Sequence, residues 1–373
     1  MIDCGAFYQS LTRAGFEFYT GVPDSLLKNF CYFVEDSVPA DRHVITANEG
    51  SAVGLASGYH MATGKTAVVY LQNSGLGNTV TPLLSIADPD VYSIPMLLIV
   101  GGRGEPGVKD EPQHKKQGRV MLGMLESMEV PFEVIDAATD VETAVARAVD
   151  TMARTSGPYV FAVREGAFSD YAFRGEPNDY PLRREQAIDI LLDAVDGGDV
   201  VVCTTGKASR ELYELRDKRD ERGRADFLTV GGMGHCSQIA LGVALQRPEK
   251  TVFCLDGDGA ALMHMGGLAT IGRLAPSNFV HVMINNGAHE SVGGQATGAF
   301  QIDWPAVAGA CGYRAVRKVE NPDQFAAVIA ELPDLPRPVF LEVRTAQGSR
   351  KDLGRPKSSP GENKHQFQKA LGL

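Results

Sequence analysis

The run 251–259, TVFCLDGDG, ends an apolar strand in Gly257-Asp258-Gly259, and 28 positions after Asp258 a second apolar run, 279–284, has closed on Asn285-Asn286-Gly287. Asp258 and Asn286 are thereby expected at the carboxyl ends of two parallel strands, where open α/β sheets bind ligands. One carboxylate, one amide oxygen and a backbone carbonyl are the few oxygen donors that a hard cation such as Mg²⁺ takes from a protein, with water and phosphate oxygens completing its octahedron. Gly257 and Gly259 let the backbone approach a diphosphate, and a helix opening at Gly259 aims free N–H groups at the anion. The same glycines could form a plain strand-to-helix turn; a second strand ending in paired asparagines favours the ligand site.

These groups need a scaffold, and the sequence supplies one. Short apolar runs at 66–71, 95–100, 131–135 and 158–163 in the first half, and at 199–203, 251–255, 279–284 and 338–343 in the second, alternate with longer segments of helical period. The runs are apolar throughout, so both faces of each strand are expected to be buried, as in parallel sheets covered by helices. The fold class is α/β, with two doubly wound parallel-sheet domains. Residues 166–184 are rich in Gly, Pro, Asp and Asn without a period and read as the connection between the halves, whereas 349–373, basic and Gly- and Pro-containing, reads as a solvated tail with a short terminal helix. No short repeat is visible, although the halves could share one layout. Segment 260–274 reads as amphipathic, entered by a helix that opens at Gly259.

GDG, then 25 residues (260–284), then NN is a pattern that resembles the thiamine diphosphate (ThDP)-dependent enzymes. The resemblance implies the ThDP-binding fold, with a pyrimidine-binding domain at 1–168, a linker at 169–184, a diphosphate-binding domain at 185–348 and a tail at 349–373. It implies that Asp258, Asn286 and the carbonyl of Ala288 hold Mg²⁺ and that Gly257, Gly259 and Ala260 meet the diphosphate. Glu49, in 47–58 (ANEGSAVGLASG), corresponds to the glutamate that protonates the aminopyrimidine so that thiazolium C2 can lose its proton; on residue type alone it would be the acid of a helix's first turn. Met233, in 230–245 (VGGMGHCSQIALGVAL), corresponds to the apolar wedge that bends the cofactor. Gly206 and Lys207, in 204–210 (TTGKASR) with Ser209 and Arg210, read as an anion grip.

Within that family, two-domain brevity and the segment 289–297 (HESVGGQAT) resemble the phosphonopyruvate decarboxylases, and somewhat less the sulfopyruvate decarboxylases, with Ala296 a small departure from the pattern. The implied reaction is release of CO₂ from a small 2-oxo acid bearing a second anionic group. Its far end needs cations and N–H donors, whereas the carboxylate end needs a less polar pocket. Asp24, in 21–27 (GVPDSLL), aligns with an aspartate that relays protons and could instead cap a helix near Ser25. Gln113, His114, Lys115 and Arg119 lie in a polar 104–119 segment that reads as a mobile lid. Asn73 and Ser74 end a strand, and Ser291, Gly293 and Gly294 offer a hydroxyl and N–H groups; with Ser25 these complete the expected substrate contacts and proton-handling groups. The family shares sites between subunits, so a homo-oligomer, at least a dimer, is expected.

Composition closes off other classes. The 36 basic and 46 acidic residues give a net charge of −10 without a basic stripe, which argues against nucleic acid. No apolar run reaches a membrane span and residues 1–5 do not resemble a signal peptide, so a cytoplasmic enzyme without a membrane partner is expected. Six dispersed cysteines without a CxxC pair read as free core thiols. A nucleotide-binding dehydrogenase lacks its GxGxxG, a catalytically inert subunit does not fit the retention of Glu49, Asp258 and Asn286, and a carboligase would differ only in what its enamine meets.

Overall fold

Branched and aromatic side chains such as Val68, Val69, Tyr70 and Leu71 are almost wholly shielded from water, each contributing about 1.5–3 kcal/mol by burial. Such runs build two separate sheets in this computed structural model, which describes residues 1–175 and 177–373. Residue 176, inside the expected linker, lies outside the described residues. The chain divides into a unit formed by 1–175 with 292–295 and a unit formed by 177–291 with 296–373.

The first unit contains β1 (Tyr19–Gly21), β2 (His43–Ile45), β3 (Ala67–Gln72), β4 (Met96–Gly101), β5 (Phe132–Ile135) and β6 (Tyr159–Val163), all parallel, in the order β2-β1-β3-β4-β6-β5. Helices α1 (Cys4–Arg13), α2 (Lys28–Ser37), α3 (Glu49–Thr63), α4 (Leu76–Pro82), α5 (Pro112–Ser127) and α6 (Val141–Thr155) complete it. Tyr70, Leu97 and Ile99 face one core and Val69, Leu98 and Val100 the other, so the sheet lies between two apolar layers.

The second unit contains β7 (Val200–Cys203), β8 (Ala225–Leu228), β9 (Val252–Gly257), β10 (Phe279–Asn285), β11 (Ala315–Val319) and β12 (Val339–Arg344), again all parallel, in the order β11-β12-β10-β9-β7-β8. Its helices are α7 (Arg184–Leu192), α8 (Lys207–Lys218), α9 (Cys236–Gln246), α10 (Asp258–Met263), α11 (Gly267–Leu274), α12 (Trp304–Cys311), α13 (Pro322–Glu331) and α14 (Pro360–Ala370). Read from β8, this strand order repeats that of the first unit, so the two halves do share one layout. The order reverses beside the first strand of each unit, the place where open sheets leave a crevice.

The amphipathic segment 260–274 is helical, in two helices, α10 and α11, with α11 beginning at Gly267, where a Cβ would stand 2.6 Å from the Gln238 amide nitrogen. Two expectations are corrected. The 349–373 stretch is docked: Leu353 and Phe367 are buried, Phe367 meets Phe227 edge-on, and the Asn363 side chain accepts from Leu228 N and donates to Asp226 O, both at 3.0 Å, along edge strand β8. The second half of the 104–119 segment is the first two turns of α5. All six cysteines are free, five of them buried, and among the described residues no helix is long and apolar enough to cross a membrane.

Candidate active site

In the second unit the anchor is built where β9 gives way to α10. The Asp256 carboxylate accepts from Gly257 N at 2.9 Å and fixes the turn, and Asp258 then starts the helix with its carboxylate buried. Thr297 Oγ donates to Asp258 Oδ2 at 2.6 Å, yet burial still pushes this carboxyl up to about 6, the behaviour of an acid deprived of a countercharge. At the end of β10 the Asn286 amide oxygen accepts from Ala288 N at 3.1 Å while its nitrogen donates to Glu290 at 2.8 Å, which sets the orientation of the carboxamide. Gly287 lies in the left-handed region at φ 69°, and a Cβ there would meet the Phe300 ring at 2.3 Å. Gly259 sits between two side chains: its missing Cβ would be 3.2 Å from His289 Nδ1 and 3.3 Å from the Met233 methyl. Burial without a countercharge pulls His289 down to about 4.

Gly206 has φ 102°, and a Cβ on it would stand 2.9 Å from Ser291 Oγ. Lys207, next in the chain, donates to Glu290 at 2.8 Å, and Glu290 also receives Arg184 at 2.8 Å, whose other edge grips Glu211. Burial would raise the Glu290 carboxyl, but these two cations hold it below the usual range. Ser209 donates to Thr204 O within the fold and Arg210 holds the backbone at Leu353 and Gly354, so those two side chains are engaged elsewhere than in an anion grip.

In the first unit the corresponding strand ends present a different set. Asn48 caps α3 by accepting from Ser51 N at 2.9 Å, and Glu49 is that helix's first residue. Its carboxylate is nevertheless buried, accepting from Asn78 Nδ2 at 2.7 Å with its other oxygen over Gly75, where a Cβ would come within 2.1 Å. Asp24, after β1, is fully buried; Oδ2 accepts from Leu27 N at 3.1 Å and Oδ1 has no partner. Burial outweighs its backbone hydrogen bonds and pushes the carboxyl up to about 6.

Ser25 Oγ accepts from Arg103 Nη1 at 2.5 Å, and Asn73 Nδ2 donates to the Arg103 carbonyl at 2.7 Å. His114 is buried, its Nδ1 unpartnered, with the Gln113 amide 3.4 Å from Nε2. Lys115 and Ser74 are exposed, the latter accepting from Gln72 at 2.6 Å, so neither joins this group. Gly293 groups with the first unit, its carbonyl accepting from Tyr32 OH at 2.7 Å, whereas Ser291 belongs to the second. Asn78, Arg103, Asp110, Thr297 and Glu290 were missed by sequence reasoning. Arg103 alone carried a usable signal, as a cation directly after a glycine pair that ends an apolar strand.

Two doubly wound sheets, one with a buried acid cradled by glycine at its strand ends and the other with a carboxylate and an amide beside a glycine turn, are the parts of an enzyme that works through a diphosphate cofactor. Residues 5–130 match the family model described as thiamine pyrophosphate enzyme, N-terminal TPP binding domain, and residues 204–343 match thiamine pyrophosphate enzyme, C-terminal TPP binding domain. Over 99% of its length the chain is 37% identical to phosphonopyruvate decarboxylase of Streptomyces viridochromogenes and 36% identical to that of Streptomyces hygroscopicus, covering 94% of each. It is 25% identical to sulfopyruvate decarboxylase of Methanosarcina acetivorans, over 97% of this chain and 96% of that one. The chain belongs to the thiamine pyrophosphate-dependent enzymes, in the group that contains the phosphonopyruvate decarboxylases.

Proposed function

We propose that this enzyme removes CO₂ from 3-phosphonopyruvate without oxidation, giving phosphonoacetaldehyde, with ThDP and Mg²⁺ as cofactors. The observation that carries the reading is the 37% identity to a phosphonopyruvate decarboxylase along 99% of the chain, joined to a site whose donors suit the cofactor. The fit is chemical: Asp258 is a buried acid without a countercharge, Asn286 and the Ala288 carbonyl add neutral oxygens, and Gly75 and Gly259 leave room beside Glu49 and Met233 that any side chain would fill. When bound, ThDP supplies the electron-accepting thiazolium that takes up the pair left as CO₂ departs.

The chain's own residues then have assigned tasks. Asp258, Asn286 and the Ala288 carbonyl hold Mg²⁺, and Gly206, Lys207, Gly257, Gly259 and Ala260 face the diphosphate. Met233 supplies an apolar wall. Glu49 holds a proton at the pyrimidine ring, oriented by Asn78. Asp24 and His114 are the groups able to hold a proton for the product, Asp24 because burial brings its titration close to neutrality. Ser25, Asn73 and Gln113 line the substrate side in the first unit, and Ser291 and Gly293 are further donors. On this reading 1–168 is the pyrimidine-binding domain and 185–348 the diphosphate-binding domain, 169–184 links them, and the enzyme is a cytoplasmic homo-oligomer, at least a dimer, that shares its sites.

The test is CO₂ release from phosphonopyruvate, sulfopyruvate and pyruvate by purified protein with ThDP and Mg²⁺. Preference for phosphonopyruvate is expected. Preference for sulfopyruvate would move the enzyme to the sulfonate reaction, and release from pyruvate alone would remove the requirement for a second anion.

A further inference from the structure

We infer that Arg103 recognises the anionic far end of the substrate, a phosphonate or sulfonate carried on a 2-oxo acid, and that Asp110 is the positioning residue that aims it; this rests on the reaction proposed above and names a residue for it.

Arg103 follows Gly101-Gly102 at the carboxyl end of β4, among the strand ends of the first unit where such sheets bind ligands. Its side chain is 23% exposed, whereas Lys109, Lys115, Lys116 and Arg119 are exposed, which makes Arg103 the one shielded cation of the 103–119 stretch. Nε donates to Asp110 at 2.8 Å and Nη2 donates to the other oxygen of the same carboxylate. Asp110 is itself held by the loop backbone, accepting from Gly104 N at 2.8 Å and Glu111 N at 2.7 Å. The guanidinium hydrogen bond to Arg103 does most to hold the Asp110 carboxyl down, at about 2, so it remains a fixed anion wherever the enzyme works. The guanidinium plane is thus locked by a partner that cannot swing with it.

A guanidinium carries five N–H donors. Asp110 takes two and Ser25 Oγ, 2.5 Å from Nη1, takes a third. One N–H on each terminal nitrogen is left, enough for two oxygens of a single oxyanion. A lysine would bring the charge without that fork.

The polar surroundings of Arg103 suit a binding site better than sealed core. Asp24 Oδ1, Asn73 Oδ1 and Gln113 Oε1 are buried without a partner. They belong together: Asn73 bonds the Arg103 carbonyl, Ser25, the chain neighbour of Asp24, accepts from the guanidinium, the Arg103 charge acts on both Asp24 and His114, the Gln113 amide approaches His114, and the backbone of His114 is packed on Gly104. Native interiors pair nearly all such atoms, so a cluster of orphans around one restrained arginine is completed by a molecule the chain does not contain. A 2-oxo acid with a second anion has the oxygens for Arg103 and leaves its reacting end for Asp24 and His114.

The test uses the full holoenzyme with Arg103→Met, Arg103→Lys and Asp110→Asn. Binding of 3-phosphonopropionate, an unreactive dianion without the keto group, is measured by calorimetry beside kcat and KM for phosphonopyruvate and pyruvate and beside ThDP affinity. Arg103→Met is expected to raise KM for phosphonopyruvate at least 30-fold, to lower its kcat/KM relative to pyruvate by a similar factor, and to abolish detectable 3-phosphonopropionate binding while ThDP affinity stays within threefold. Arg103→Lys should recover part of the loss, and Asp110→Asn should raise KM more than it lowers kcat. An unchanged kcat/KM ratio and unchanged 3-phosphonopropionate binding in Arg103→Met would overturn the inference, and Arg103→Lys decides in the same way if Arg103→Met does not fold. Failure of the wild-type enzyme to turn over either dianionic keto acid is a separate result, and it would sink the proposed function instead.

Discussion

Replacing Asp24 with asparagine should make the cofactor-free protein more stable while disabling it. Burial pushes the Asp24 carboxyl from 3.8 up to about 6, so the folded state binds this proton more tightly than the unfolded chain does. The stabilisation is then fully present below the unfolded value and is lost as pH rises through the folded one. At about 1.4 kcal/mol per pKa unit, the charged carboxylate costs the folded state roughly 3 kcal/mol once both forms are ionised. Asparagine matches the shape and keeps an oxygen for the Leu27 N–H, which Asp24 now accepts at 3.1 Å, but carries no charge to desolvate. Urea unfolding of both proteins at steps between about pH 4 and pH 8 should show the wild type losing stability relative to the variant through that interval, leaving the variant an advantage of roughly 1–3 kcal/mol at the upper end. Equal or lower stability of Asp24→Asn at the upper end would refute the reasoning, since it would mean that Asp24 is not a strained acid. A protein that keeps so costly a charge in its interior is using it, and loss of turnover in the same variant is the expected counterpart.

The strands legible in the sequence were those written as apolar runs of four residues or more, most of them buried on both faces. β3, β4, β5, β6, β7, β9, β10 and β12 lie where their apolar runs placed them, but β1, β2, β8 and β11 were not seen. β1 and β2 are only three residues long, and Asp226 interrupts β8 and Arg317-Lys318 interrupts β11 with charge, because edge strands and short strands need not be apolar throughout. Asp258, Asn286 and Glu49, the residues proposed to hold the cofactor, could be picked out because their motifs are local in sequence, each beside its own glycine. The groups that hold them could not. Asn78 reaches Glu49 from 29 positions away and Thr297 reaches Asp258 from 39, contacts that exist only once the helix and strand ends are brought together. The tail was misread for a similar reason: Asn363 finds the backbone of β8 across more than 130 positions, and nothing in its neighbours announces that partner.

Two further substitutions test these long-range contacts. Gly75→Ala would place a Cβ 2.1 Å from Glu49 Oε1 and 2.6 Å from its Cγ, so the carboxylate must move; kcat is expected to fall by about 100-fold, roughly 3 kcal/mol of barrier, with circular dichroism unchanged, and turnover within a factor of three of wild type would show that Glu49 tolerates displacement. Asn363→Ala removes both side-chain hydrogen bonds that the tail makes to β8, leaving Leu228 N and Asp226 O of that edge strand without them. The Leu228 N–H is buried and the Asp226 carbonyl half-buried, so the cost is that of one stranded polar group and one lost hydrogen bond, about 1.5–4 kcal/mol. Urea unfolding measures the total, and amide exchange at Leu228 localises it. If the tail were only a solvated extension, the substitution would shift stability by less than about 0.5 kcal/mol and leave exchange at Leu228 unaltered. A large loss confined to β8 would instead show that residues 349–373 are part of the second unit's fold, because an unpaired edge strand is closed there by a side chain rather than by another strand.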